Sequence, residues 1–154
     1  KRKIERFCLK IPVMGKIVRF SSLTNFSSTM AVLLKSGLGL IDSLKLTAQM
    51  LGTSVYRDAV HGSAANVLTG ISFKESLNNP LFPKVVQNVV SVGEETGELN
   101  QALEELGDFY SSELKRIVEF IVNAIEPALI ICVGSIVALV YFALFQAVIA
   151  LMSG

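Results

Sequence analysis

The chain has 154 residues, enough for one domain of ordinary size, and it is 51% hydrophobic with a mean hydropathy of +0.55, high for a purely soluble domain. Its formal net charge of +1 conceals an asymmetry: Lys1, Arg2, Lys3, Arg6, Lys10, Lys16 and Arg19 oppose only Glu5, whereas from Glu94 onward nine acidic residues oppose only Lys115 and Arg116. The basic start lacks the interleaved aromatics of a stacking surface and no recognised binding motif follows it, which argues against a nucleic-acid partner; it fits a juxtamembrane flank.

In chain order, residues 1–19 read as a basic juxtamembrane lead-in, irregular or partly helical, broken by Pro12 and Gly15. A first helix is expected from about Phe20 to Ser36. Phe20, Leu23, Phe26, Met30, Leu33 and Leu34 fall near helical spacing, and Gly37 stands at its C-cap. The second, from about Leu40 to Leu51, aligns Leu40, Ile41, Leu44, Ala48 and Leu51 and ends at Gly52. The third, from about Val55 to Thr69, is expected to bury Tyr56, Ala59, Val60, Val67 and Leu68 and to end at Gly70. Ser72 with Glu75 is a capping box opening a short fourth helix, which Asn78, Asn79 and Pro80 stop. The fifth starts at Pro83, with Phe82, Val85, Val86, Val89 and Val90 as its stripe, and Gly93 and Gly97 bracket the turn that follows. The sixth carries Leu99, Ala102, Leu103, Leu106, Phe109 or Tyr110, Leu114 and Ile117, and runs toward Pro127. Short loops force antiparallel neighbours. The expected fold is therefore all-α: an antiparallel bundle of about six helices over residues 20–126, the last leading into a C-terminal transmembrane helix.

That membrane helix occupies residues 127–154. From Ala128 to Met152 there is no Asp, Glu, Lys, Arg or His; as helix, this run extends ~37 Å, enough to cross a hydrocarbon core of about 30 Å with some tilt. Glu126 and Pro127 mark the entry. Lys115 and Arg116 precede the span and nothing basic follows it, so the bundle is expected in the cytosol and the C-terminus on the far side. The abrupt basic start, with Lys rather than Met at position 1, suggests a piece of a multi-pass protein whose preceding part ends in another membrane helix. Within the span, Gln146 calls for a hydrogen-bonding neighbour helix, and Gly134, Ser135 and Ala138 form a small face for close packing. Glu126 reads either as an interfacial carboxylate or as a functional membrane one.

Little points to catalysis. Cys8 and Cys132 are too far apart in kind of environment to pair, and no CxxC exists. His61 is the only histidine and has no nucleophile motif beside it. No phosphate-cradling loop is present, so any ATP hydrolysis belongs to a partner. No cofactor, catalytic or metal site is expected.

The most informative stretch is Gly93-Glu94-Glu95-Thr96-Gly97-Glu98-Leu99. Glu94 and Glu95 fall at the C-terminal end of the fifth helix, where the macrodipole disfavours negative charge. Either they form a solvated acidic loop, or they have a partner: a basic group within the bundle, a cation, or another protein. Glu94, Glu95, Glu98 and, on the sixth helix, Asp108 are the candidate partner-binding residues.

The chain resembles the type II secretion F domain of inner-membrane platform proteins. The resemblance rests on the Gly-Glu-x-Ser/Thr-Gly-x-Leu turn (Gly93, Glu94, Thr96, Gly97, Leu99), Phe82-Pro83, the lead-in Leu9, Pro12 and Gly15, the helix end Leu33, Leu34, Ser36 and Gly37, and Asp108 with Phe109 and Tyr110. Glu126-Pro127 resembles the membrane entry of the second of the two copies such proteins usually carry. Ser21, Ser22 and Thr24 depart from the more Arg- and Ala-rich first helix of the family. The resemblance implies a non-enzymatic platform that couples a cytosolic hexameric assembly or retraction ATPase to pilin or pseudopilin subunits, alongside other inner-membrane assembly proteins and in self-association. The unbroken pattern from Leu99 to Ile125 suggests that, in such a platform, a sixth helix continuous with the membrane helix links ATPase contact to subunit loading. The alternative is an unrelated tail-anchored helical adaptor or signalling protein; a membrane enzyme using Glu126 or the acidic turn is a third reading.

Overall fold

A computed structural model describes the backbone of residues 12–152, so Cys8, Leu9 and the basic run up to Lys10 lie outside the described residues. Six helices follow one another: α1 (Pro12–Lys35), α2 (Leu40–Met50), α3 (Ser54–Leu68), α4 (Phe73–Ser76), α5 (Lys84–Thr96) and α6 (Leu99–Met152), with no strand among the described residues. The expected all-α class holds. α1 begins eight residues before Phe20, because Pro12 takes the first helical position, where its missing N–H costs nothing, rather than breaking the chain. Gly15 lies inside α1, at a propensity cost of about 1 kcal/mol.

The chain divides into two compact units, the first ending at Lys115 and the second beginning at Arg116. In the first, α1 and α6 run antiparallel. Lys35 Nζ lies 3.5 Å from Glu104 Oε2 at one end, and the rings of Phe20 and Tyr110 are 5.7 Å apart toward the other. Between them a Cβ on Gly107 would stand 2.6 Å from Ser28 Oγ, so the crossing relies on glycine. The core gathers Leu23, Phe26 and Met30 with Leu44, Ala48, Tyr56, Val60, Phe73, Val86, Val90, Leu103 and Leu106. Phe82 packs at the centre, its ring 5.2 Å from Phe26 and 6.0 Å, edge-on, from Tyr56.

Three expectations resolve here. Of the adjacent aromatics on α6, Tyr110 is buried (3% exposed) and Phe109 faces out (52%). Leu68 and Val85, expected inside, are 66% and 51% exposed. Each is one residue, about 100° of helical turn, off a face that Val67 and Val86 already occupy.

Tyr56 is held at both ends. Its ring is buried and its hydroxyl donates to the Leu81 carbonyl at 3.2 Å. Burial pushes the phenol up to about 12, partly offset by Arg19 nearby and reinforced by Tyr110. An unfolded tyrosine ionises at about 10. The folded state thus holds this proton more tightly than the unfolded state does. The contribution is complete below about pH 10 and is lost as pH rises toward about 12. Tyr56→Phe is expected to cost about 1 kcal/mol at neutral pH and to flatten the alkaline fall, read by thermal unfolding of detergent-solubilised protein across that range.

A second consequence lies in the α1 and α2 faces. The hydroxyls of Ser27, Ser43 and Thr47 are buried without a hydrogen-bond partner among the described residues. A buried hydroxyl left unpaired is a cost, so the isosteric Thr47→Val should raise stability by about 1 kcal/mol; an unchanged unfolding midpoint would show that the hydroxyl is satisfied.

In the second unit the chain remains helical to Met152, with Pro127 inside the helix. The most apolar stretch has none of its residues buried, and Ile130, Leu139, Phe142 and Phe145 all face outward. A helix apolar on every side and longer than a bilayer core is a candidate membrane span.

Candidate functional site: the acidic turn

The reversal between α5 and α6 takes only two residues. Gly97 adopts the left-handed conformation at φ +75°, which glycine alone takes without penalty. Thr96 Oγ1 donates back to the Val92 carbonyl at 2.9 Å and accepts from the Glu98 N–H at 3.4 Å. Gly93, expected to bracket the turn, lies inside α5 and is buried. A Cβ there would stand 2.9 Å from Leu99 Cα and 3.0 Å from Ala102 Cβ. Its role is contact, not conformation: it lets the last turn of α5 meet the first turn of α6.

Glu94 has a partner within the bundle, of a kind the sequence reading did not name. Oε1 accepts from the Phe73 N–H at 3.1 Å and Oε2 from the Lys74 N–H at 3.2 Å. Ser72 Oγ accepts from the Glu75 N–H at 3.2 Å, as the capping-box pattern predicts. A helix leaves its first four N–H groups without intrahelical acceptors. In α4, Glu94 and Ser72 together satisfy the first three. The carboxylate that looked misplaced at the end of α5 thus sits at the favourable end of α4.

The other candidates are placed differently. Glu95 accepts from Ser91 Oγ at 3.1 Å and, with Ser72, Lys74, Ser91 and Glu94, lines an open cleft of about 330 Å³. Glu98 is exposed at the start of α6. Asp108 stands apart, ten residues further along α6, or ~15 Å of helical rise. It borders a groove of about 200 Å³ between α1 and α6, with Ser28, Ala31, Val32, Lys35 and Glu104. The Lys35–Glu104 pair there is exposed and contributes little. Among the described residues no group of three His, Cys, Asp or Glu side chains is arranged to hold a metal ion. Gly37 closes α1 at φ +87°, with the Gly37 and Leu38 N–H groups donating to the Leu34 and Leu33 carbonyls in a Schellman pattern. In the second unit Glu126 and Gln146 are exposed on α6, and Gly134 has nothing within 4 Å of where a Cβ would stand.

Sequence reasoning missed the Gly107–Ser28 crossing. The signal available was a lone glycine inside a strong helical pattern, which usually marks a close packing contact.

Comparison with known proteins places this architecture. A family model described as type II secretion system (T2SS), protein F, matches residues 26–147, across both the bundle and the apolar helix. The type IV pilus assembly protein PilC of Thermus thermophilus is 35% identical over 94% of this chain and 36% of its own length. The type II secretion system protein F of Pseudomonas aeruginosa is 29% identical over 94% of this chain and 36% of its own length. The PilC of the same organism is 26% identical over 93% and 40%. The chain therefore spans little more than a third of the length of these curated relatives, and a match of this extent and identity means that it belongs to the type II secretion system protein F family.

Proposed function

We propose that this chain is the second cytosolic bundle and last membrane helix of an inner-membrane platform protein. In that role it couples a cytosolic hexameric assembly or retraction ATPase to pilin or pseudopilin subunits in a type IV pilus or type II secretion machine. The observation that carries the reading is the family match over residues 26–147, which includes the bundle and the span together. The proposed division of labour gives residues 20–126 to the cytosol, 127–154 to the membrane, and the C-terminus to the far side, in a protein that is multi-pass at full length. The platform acts without catalysis of its own and self-associates beside other inner-membrane assembly proteins. Gly134 and Gln146 serve packing against a neighbouring membrane helix, and Glu126 with Pro127 stands at the membrane entry.

In this reading, Glu95 and Glu98 are the acidic residues offered to the ATPase. Glu94 is engaged by the α4 backbone, whereas Glu95 and Glu98 point to solvent beside it. The test is co-purification of the full-length protein in detergent with the hexameric ATPase encoded beside it. Glu95→Gln/Glu98→Gln is expected to weaken capture severalfold with the unfolding midpoint unchanged. Full capture by that variant moves the contact away from the turn. Failure of the folded full-length protein to capture the ATPase overturns the coupling role and leaves the family membership standing.

A further inference from the structure

Within the first unit, the hairpin of α5 and α6 carries an apolar face that stays uncovered among the described residues. Contacts already made by the two helices fix where that face lies. On α5, Gln87 Nε2 donates to the Leu77 carbonyl at 3.2 Å and Glu94 accepts from the start of α4, so the stripe through residues 87 and 94 faces α4. Val85 and Val92 stand two positions before these, about 200° round the helix, on the side turned away from α4. On α6, Gly107 packs on Ser28 of α1, and Ala102 packs on Gly93 of α5. Phe109 follows Ala102 by two helical turns and so shares the α5 side. Val85, Val92 and Phe109 are each more than half exposed, with the half-buried Val89 and Ala102 between them. Single apolar side chains on a surface are ordinary, but a run lining one face of two joined helices marks a contact surface. The register follows from Gly93, whose Cβ position lies 2.9 Å from Leu99 Cα and 3.0 Å from Ala102 Cβ. At about 1.5 Å per residue, Val85 lies ~12 Å from that level along α5 and Phe109 ~11 Å along α6, so the two are level with each other. By the same count Asn88, on the outer edge of α5, is level with Glu105 on the outer edge of α6, and Lys84 can reach the level of Glu113.

We propose that this face joins two copies of the chain side by side, α5 of each on α6 of the other, about a two-fold axis running along the helices. The inference rests on the self-association in the proposed function, whose surface it names, and not on any ATPase contact. Charge chooses a second copy as the occupant. The two edges of the face differ: α5 offers Lys84 and Asn88, whereas α6 offers Glu105 and Glu113. A two-fold contact presents the same patch from both sides, so each edge must suit the other. Here the axis sets the α5 edge of one copy against the α6 edge of the second at matching levels. Lys84 meets Glu113 of the second copy and Asn88 meets its Glu105, each pair occurring twice. Shape agrees: Phe109 of each copy enters beside Val85 and Val89 of the other, and the small Ala102 admits Val92. Both chains then leave the pair at the same end, at Lys115, as two copies of one membrane topology must. The acidic turns share the opposite end, where exposure and salt screen their repulsion.

The test co-expresses two differently tagged forms of the full chain, both with Cys8→Ser and Cys132→Ser, one carrying Val85→Cys and the other Phe109→Cys. Disulfide formation between the two forms is followed under mild oxidation in the membrane. Both cysteines replace exposed side chains, so the fold is kept. The 85–109 link is expected to form about tenfold faster than a 92–109 link from Val92→Cys or a 68–109 link from Leu68→Cys on α3, because only the first pair is held together by the contact. Lys84→Glu in both forms should slow the 85–109 link about fivefold, while Lys74→Glu, on α4, should leave it unchanged. Equal rates for the three links overturn the proposal, as does a rate indifferent to Lys84→Glu. A faster 92–109 link also overturns it, since that pair meets only when the two hairpins run in opposite directions. The tags separate this inference from the reading beneath it. Copies that co-purify without the 85–109 link overturn the proposed face and leave self-association standing, whereas copies that neither link nor co-purify overturn both.

Discussion

Gly93→Val is expected to destabilise the bundle by about 3 kcal/mol, at the upper end of what overpacking a core costs. A Cβ at this position meets the Leu99 backbone at 2.9 Å, the Leu99 side chain at 3.1 Å and the Ala102 side chain at 3.0 Å. Side chains can rotate away from an intruding methyl, but a Cα cannot unless its helix moves. α5 and α6 are joined by Gly97 and Glu98 alone, and Gly97 is held in the left-handed conformation that makes the reversal. Separating the helices by the required distance would therefore break the turn as well as the packing. Gly93→Ala should cost about 2 kcal/mol for the same reason, and Ala102→Gly should restore only part of it, because the Leu99 Cα remains. The control is Gly62→Ala in α3, where a Cβ meets nothing within 4 Å and helix propensity predicts a gain of about 1 kcal/mol. Chemical denaturation of the solubilised protein, monitored by helical circular dichroism, distinguishes the two signs. Equal effects at Gly93 and Gly62 would show that the α5–α6 contact is looser than described.

Much of this architecture is legible in the sequence, and what is not legible has physical causes. Helix ends are set by local chemistry: Gly37 and Gly97 by the left-handed cap and Ser72 by its side-chain acceptor, whereas Pro83, expected at the first helical position, is the N-cap of α5 with an extended ψ of 153°. Such signals act within a few residues and can be read one at a time. α1 starts earlier than the sequence suggests because Pro12 and Gly15 are weak breakers when the first sits at a helix N-terminus and packing downstream holds the second. The function of Gly93 depends on Leu99 and Ala102 across the turn, and that of Gly107 on Ser28, 79 positions away, so neither belongs to any local pattern. Spacing does not separate Phe109 from Tyr110, since both fall near the same face; packing against the Phe20 ring of α1, 5.7 Å away, decides for Tyr110. The acidic turn is unusual in sequence because the macrodipole of α5 disfavours carboxylates at its C-terminal end. The partner that removes the anomaly comes from α4, 20 residues earlier, and only the folded chain brings the two together.

Glu94→Ala is expected to cost about 2 kcal/mol and, for a bundle of this size, to lower the unfolding midpoint by ~10 °C. Two charge-assisted hydrogen bonds disappear, and the Phe73 and Lys74 N–H groups lose their acceptors. α4 has only four residues and cannot hold itself together by internal hydrogen bonding, so the loss reaches the residues it positions. Phe73 and Leu77 are buried to within 1% of full coverage, and fraying of α4 exposes both. The immediate readout is hydrogen exchange at the Phe73 and Lys74 amides, which should accelerate in the variant while amides in α2 remain slow. Glu94→Gln, which keeps one oxygen acceptor, should cost about half as much. Glu95→Ala and Glu98→Ala should leave both midpoint and exchange unchanged, because neither carboxylate caps a helix. This separation matters for any partner-binding experiment at the turn. A loss of ATPase capture in Glu94→Ala would follow from a loosened α4 whether or not Glu94 touches the partner, whereas a loss in Glu95→Gln/Glu98→Gln at unchanged stability reports on contact itself. If instead Glu94→Ala keeps the midpoint and abolishes capture, the carboxylate serves the partner, and the α4 cap is dispensable to the fold.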